Sequence, residues 1–219
     1  MPTPSRVHLV LASASPARRA TLRAVGIEPT VIVSDVDETA AVSEAIDRHS
    51  ALGPADVALL LARAKCEAVA ADLTTSAVVL GCDSVLELDG EAHGKPRDAA
   101  EASARWRRMR GRAGTLHTGH WLRDERPAAE GGTSATLGAT ASTTVHFANL
   151  GDDEIDAYVA TGEPLRVAGA FTVDGLGGAF VERIEGDHHN VVGLSVPLLR
   201  ELLAEVGIGW FDVAGAPPR

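Results

Sequence analysis

The stretch that most constrains this chain is residues 78–97, VVLGCDSVLELDGEAHGKPR. Val78, Val79 and Leu80 form a short apolar run of the kind that makes a buried strand, and Gly81 and Cys82 are small. Asp83 follows where apolar residues give way to polar ones, so the acid is expected at a strand end facing a cleft. Val85 to Leu88 continues the strand, and Asp89-Gly90 is a strong hairpin signal. The chain then returns through Glu91 to Gly94 and delivers Lys95 before Pro96 stops the strand. The hairpin is expected to bring Lys95 back toward Asp83.

That lysine stands out in the composition. Of 20 Lys and Arg residues, only Lys65 and Lys95 are lysine. An ammonium is a compact point charge and a guanidinium a wide planar fork, so a pocket shaped for the first does not accept the second. Both lysines are therefore expected to touch phosphate. A formal net charge of −10 opposes binding to long nucleic acids, which needs a basic face. A small phosphate ligand needs only a local positive pocket, and acidic surroundings suit a divalent cation bridging ligand to carboxylates.

At 219 residues the chain is expected to form one domain, with a core of about residues 7–206 and a loose tail at 207–219. Cys66 and Cys82 lack metal-ligand spacing and read as buried, reduced thiols, and no stretch is long and apolar enough to span a membrane, which points to the cytoplasm.

In chain order, residues 6–12 read as a strand, Ser13-Ala-Ser-Pro16 as a turn, and Ala17 to Val25 as a helix with Ser15 as N-cap. Strand, hydroxyl-bearing turn and helix N-terminus together make an anion site, and Arg18 and Arg19 lie in the first helical turn. Pro29 to Val36 reads as a second strand ending in the acids Asp35, Asp37 and Glu38, a metal-holding group or a solvated loop. Residues 39–54 read as a helical or irregular connection. A long amphipathic helix follows from Ala55 to Leu73, with Lys65 beside its apolar stripe. Asp98 caps a helix with Ala102, Trp106 and Met109 inward, and Arg105, Arg107, Arg108, Arg110 and Arg112 read as its solvated basic end. Thr115 to Leu122 reads as a strand with His117 and His120 on opposite faces, and Arg123 to Thr136 as a mobile loop. Ala139 to Phe147 is β-like and Asp153 to Ala160 helical, and Leu165 to Gly178 is a glycine-rich loop carrying Asp174. Gly178 to Ile184 and Asn190 to Leu194 read as the last strands, before a closing helix from Pro197 to Val206.

Known nucleotide and nucleophile motifs are missing. Gly90 to Pro96 departs from a P-loop in its spacing and in having Pro after the lysine, and there is no GxSxG or HExxH. Hydroxyls at a helix N-terminus, two lysines, and acids able to hold a metal or activate water all serve phosphoanhydride hydrolysis.

These residues, taken together, resemble a family. Leu11-Ala-Ser-Ala-Ser-Pro-Ala-Arg18, Val36-Asp-Glu38, Ala62-Arg-Ala-Lys65, Gly81-Cys-Asp-Ser84, Gly94-Lys-Pro96, Thr118-Gly119, Gly162-Glu-Pro164, Ala168-Gly169 and Asn190-Val-Val-Gly-Leu194 are similar, in this order, to motifs of the Maf proteins. These are nucleotide pyrophosphatases once named for septum inhibition, and the chain looks most like their actinobacterial branch. The resemblance implies an α/β fold related to inosine triphosphatases, with an elongated mixed β-sheet, flanking helices and two lobes around a central cleft. It also implies a homodimer that hydrolyses a nucleoside triphosphate to monophosphate and pyrophosphate with Mg2+ or Mn2+. Asp83 matches the family's proton acceptor, Glu38 an acid that with Asp83 faces the metal, and Ser13, Ser15, Arg18, Lys65 and Lys95 the phosphate-handling set. Ala17, Ser84 and Asp174 stand where the pyrimidine-selective subgroup has Arg, Thr and Gln, and another subgroup has an aromatic in place of Ala17, so the base read remains open. The alternative reading is a nucleotide-responsive regulator of cell division with little turnover.

Overall fold

The structure, a computed structural model, describes residues 6–49 and 51–215. Its elements in chain order are β1 (Leu9–Ala12), α1 (Pro16–Ala24), β2 (Thr30–Val31), α2 (Glu38–His49), α3 (Pro54–Ala71), β3 (Val78–Leu88) and β4 (Glu91–His93). Then come α4 (Ala99–Met109), β5 (Ala113–Asp124), β6 (Thr136–Phe147), α5 (Asp152–Ala160), β7 (Val181–Glu185), α6 (His188–Val192), α7 (Val196–Glu205) and α8 (Trp210–Val213). The strands form one mixed seven-stranded sheet in the order β2-β1-β3-β5-β6-β7, with β4 also on β3. This is the α/β architecture the sequence implies. Among the described residues no helix is long and apolar enough to cross a membrane.

The sheet's decisive feature is a split along one edge of β3. The other edge pairs with β5 continuously from Val78 to Glu87. On the split edge β1 runs parallel to residues 78–81, and β4 pairs antiparallel with residues 86–88. Residues 82–85 lie between them, and on this edge no strand among the described residues pairs with them. In open α/β sheets ligands bind at such a break, outside the carboxyl end of a parallel strand.

Side-chain alternation along β3 sorts the cores. On one face Leu80 and Cys82 join Leu11, Leu122, Leu194, Leu199 and Leu203 in one apolar cluster. Further along the same face Leu86 and Leu88 join Trp106, Met109, Phe147 and Tyr158 in another. Between the two runs a buried polar seam of Arg18, Ser84, Thr118 and Asn190. The opposite face is crossed by α3, whose Cys66, Val69 and Ala70 pack on Val10 and Val79.

Four sequence readings need correcting. Residues 190–192 are helical, within α6, because the Asp187 side chain caps the His189 N–H (2.9 Å) and Gly193 ends the turn at φ +112°. The second strand is only Thr30–Val31. The loop after β5 is pinned: the Asp124 carboxylate accepts from Arg126 Nε and Nη2 (2.8 and 2.9 Å) and from the Thr133 N–H and hydroxyl (2.8 and 2.9 Å). Those donors hold Asp124 down at a pKa of about 2 against its own desolvation. Finally, residues 207–215 are no loose tail, since Ile208 and Val213 sit in the core and the Gly215 N–H donates to Gly26 O (2.8 Å). Residues 216–219 lie outside the described residues.

Candidate active site

Two glycines set the depth of the site. Gly81 in β3 and Gly119 in β5 face α3, and a Cβ on them would lie 2.2 Å from Ala62 O and 2.3 Å from Ala58 O. The absent side chains let the helix backbone lie against the sheet, one helical turn over each glycine. Three residues past Ala62, Lys65 therefore meets Asp83, which follows Gly81 by two on the same face and pairs with Gly119.

Asp83 is 8% exposed, and Lys65 Nζ donates to its Oδ1. The same ammonium lies 2.7 Å from Oε1 of Glu38, the first residue of α2. Burial pushes the Asp83 carboxyl above the usual carboxylate range, opposed by the charges of Lys65 and Arg18 and by the hydrogen bond from Lys65. A carboxylate with a raised pKa beside a cation is suited to accept a proton near neutral pH. Asp83 Oδ2 and Glu38 Oε2 make no hydrogen bond among the described residues, which leaves two oxygen donors for a ligand. An all-oxygen set of that kind fits a hard divalent cation.

Around the split edge, Ser13 leaves β1 and Ser15 caps α1: Ser13 Oγ accepts from Ser15 N (3.2 Å) and Ser15 Oγ from Arg18 N (3.4 Å). The N-terminus of α1 opens onto a cavity of about 310 Å³ lined by Ser13, Ser15, Arg19, Arg23 and Val31. Arg19 and Arg23 on this side both pair with Glu28. Ala17 lies in the first turn of α1, its carbonyl accepting from the Thr21 hydroxyl (3.1 Å).

Arg18 turns inward. Its Nε donates to Gly193 O (2.7 Å), Nη1 to Ser13 Oγ (3.0 Å) and Cys82 O (2.8 Å), and Nη2 to Ser84 Oγ (3.0 Å). Four of the five guanidinium N–H groups thus serve the protein itself, and the fork stands in for the strand missing beside residues 82–85. Ser84 accordingly points to the seam, where it meets Thr118 Oγ1 (2.9 Å), and away from the Asp83 face.

Lys95 does not meet Asp83. The β3–β4 ladder ends at the Leu86–His93 pair, and Lys95 beyond it is exposed with no hydrogen bond or ion pair among the described residues. The acid's partner is Lys65. Asp174 is likewise exposed, on a loop wrapped around Glu163, whose carboxylate accepts from Tyr158 Oη (3.0 Å), Thr172 Oγ1 (2.5 Å) and the N–H groups of Leu176 (3.0 Å) and Gly177 (2.9 Å).

Sequence reasoning missed three groups. Arg105, read as part of a solvated cluster, is buried, and it binds Glu101 and Gly94 O. The signal was its spacing, since residues 98, 102, 105 and 109 share one helical face. Glu163 was visible only as the middle of Gly-Glu-Pro. His120 is fully buried, accepting at Nε2 from Ser195 N (2.8 Å) and so donating from Nδ1 to Thr118 O (3.0 Å), and desolvation drops its pKa to about 4.

Residues 8–206 match the family model described as Maf-like protein. Curated relatives include the nucleoside triphosphate pyrophosphatases of Salinispora tropica, 58% identical over 92% of this chain and 85% of that protein, and of Streptomyces avermitilis, 55% identical over 93% of each. That of Nostoc punctiforme is 51% identical over 90% of this chain and 93% of its own length. Among solved structures, the Staphylococcus aureus Ham1 protein aligns with a TM-score of 0.37 at 16% identity over 65% of this chain and 72% of that one, too loose a likeness to carry an argument.

Proposed function

The chain belongs to the Maf family and is, like its curated relatives, a nucleoside triphosphate pyrophosphatase; from that premise we propose how its cleft performs the hydrolysis. A nucleoside triphosphate lies along the split edge of β3, its phosphates facing the N-terminus of α1 and the Ser13 and Ser15 hydroxyls, with Lys95 reaching in from the far side. Asp83 accepts a proton from water, and the water oxygen forms a bond to phosphorus as the bond between α- and β-phosphates breaks. Pyrophosphate departs and the nucleoside monophosphate remains. Lys65 holds Asp83 ionised in its buried position and places positive charge where negative charge accumulates.

The single observation that carries this reading is the buried Asp83–Lys65 pair, with Glu38 on the same ammonium, facing the break in the sheet. Glu38 and Asp83 would hold a Mg2+ or Mn2+ ion through their remaining oxygens, and such an ion neutralises phosphate charge when bound. Asp174, exposed on the glycine-rich loop, is proposed to accept from an amino or imino group of a base such as guanine, and Asp174→Asn assayed with paired purine and pyrimidine substrates tests it. A homodimer and a cytoplasmic location complete the reading; sedimentation and cell fractionation test them.

The deciding experiment is product analysis on a panel of nucleoside triphosphates with and without divalent cation, comparing wild type with Asp83→Asn. Pyrophosphate and monophosphate from wild type alone, lost on chelation, are expected. Equal turnover by Asp83→Asn sinks the assignment of Asp83; tight nucleotide binding without turnover across the panel favours the regulator.

A further inference from the structure

Lys95 has a side chain with no partner among the described residues, on a backbone held from both sides. Gly94 O, just before it, accepts from Arg105 Nη1 (2.6 Å) and from Gly169 N (3.2 Å). Just after it, Pro96 is buried, and the Glu101 carboxylate accepts from Arg97 N (3.1 Å) and Nε (2.8 Å) through Oε2. Through Oε1 the same carboxylate holds Arg105 Nη2 (2.7 Å). Glu101 and Arg105 are one turn apart on α4, so a single helix face grips both flanks of the lysine.

One residue along, Trp106 Nε1 donates to Ala170 O (2.7 Å). Ala170 sits at φ +62° and Gly169 at φ +72°, a turn that residues with a Cβ avoid, and this bond helps to hold it. The loop bearing Asp174 begins here. Gly169 packs so closely that an added Cβ would lie 2.8 Å from the Leu86 Cβ. Three side chains from adjacent turns of α4, Glu101, Arg105 and Trp106, thus fix the Lys95 segment and the start of the glycine-rich loop against each other and against β3.

We infer that the pair of partly exposed Glu101 and buried Arg105 is a positioning device for Lys95, and that α4 sets the distance between the phosphate-handling lysine and the glycine-rich loop. The inference rests on the reading of Lys95 as a phosphate ligand and deepens it. A guanidinium is required because one fork must serve a carboxylate and a carbonyl at once, and an ammonium at residue 105 cannot span both. The free Lys95 side chain keeps its donors for the substrate while its backbone loses little freedom on binding, so little ordering opposes association.

The test is a double-mutant cycle of Lys95→Ala and Arg105→Lys, read in nucleoside triphosphate hydrolysis and, independently of turnover, in calorimetric binding of inorganic tripolyphosphate. Each single variant is expected to lower kcat/KM and tripolyphosphate affinity by about tenfold to a hundredfold, the range for losing a charge-assisted hydrogen bond. If Arg105 acts through Lys95, adding Arg105→Lys to Lys95→Ala changes either readout by less than about twofold, because interacting residues are not additive. Fully additive losses, or an unaffected Arg105→Lys, overturn the clamp while leaving Lys95 as a ligand. An unaffected Lys95→Ala overturns the ligand assignment and the clamp with it. Glu101→Gln, at a less buried position, carries the same cycle should Arg105→Lys not fold.

Discussion

The two faces of β3 at the split edge treat charge in opposite ways. On the α3 face, Asp83, Lys65 and Glu38 use only part of their bonding capacity, and one oxygen of each acid is left over. On the seam face, Arg18 spends four donors on Gly193, Ser13, Cys82 and Ser84, and His120 has both ring nitrogens engaged. Asp83 and Lys65, like Arg18 and His120, are largely buried around the same strand, whereas Glu38 is half exposed at the mouth of its group. Burial alone therefore does not mark the chemistry; unspent valence does. A satisfied buried ion is architecture, whereas one with capacity to spare has its desolvation offset only when a ligand arrives.

The contrast is open to attack on either face. Asp83→Asn should lower kcat/KM by about 10²- to 10⁴-fold, the range for a lost general base, with little change in melting temperature. In the wild type the acid limb of the kcat/KM profile should lie above the ordinary carboxylate range, because burial raises the Asp83 pKa. A limb at ordinary carboxylate pH would assign the base elsewhere.

Arg18→Ala should do the reverse, destabilising the fold by on the order of 3–5 kcal/mol as buried acceptors lose their donors. For a chain of this size that is a fall in Tm of about 10 °C. If instead Arg18→Ala keeps its Tm and loses only substrate affinity, Arg18 belongs with the ligand-facing group and the contrast fails.

His120 gives the seam a pH dependence. Its folded pKa of about 4 lies below the ordinary histidine value, so the unfolded chain takes up a proton that the folded one refuses. Stability is complete above about pH 6.5 and falls as pH drops from there to about 4, by about 3 kcal/mol in all. Chemical denaturation at pH 7 and pH 4.5 should show this loss, and His120→Asn should reduce it; an equal loss in the variant places the titrating group elsewhere.

The smallest expected effect is at the glycine contact. Gly119→Ala forces α3 away from β5 and should cost about 1–3 kcal/mol of stability by overpacking. It should also displace Lys65, so activity should fall out of proportion to stability. A variant with altered Tm and unaltered kcat/KM would uncouple helix depth from the Asp83–Lys65 pair.

Most elements were legible in the sequence because their signals are local. Ser15 before α1 and Pro16 at its first position, Asp98 before α4, and the Ala102–Trp106–Met109 stripe all act within one or two turns. The readings that failed depended on neighbours far along the chain. Asn190 to Leu194 is apolar enough for a strand, yet the Asp187 cap and the Asn190 Nδ2 bonds to Leu116 O and Ala141 O (3.1 and 3.3 Å) hold it as a helical turn across the sheet. Arg123 to Thr136 has the composition of a mobile loop, and one buried aspartate gathers it. Lys95 was placed by extending a hairpin that stops at His93.

The sequence by itself determined the chemical inventory: one acid after an apolar run, which lies midway along β3 and not at the strand end that run suggested, two lysines where arginine prevails, and hydroxyls before a helix. These follow from residue identity and local backbone preference, which no fold can alter. Only the tertiary structure decided the pairing. Lys65 reaches Asp83 because two glycines on neighbouring strands admit a helix backbone, and Arg18 turns inward because β1 ends where β3 continues. Those are contacts between segments remote in sequence, set by how layers pack and where a strand edge is left bare, and no local pattern encodes them.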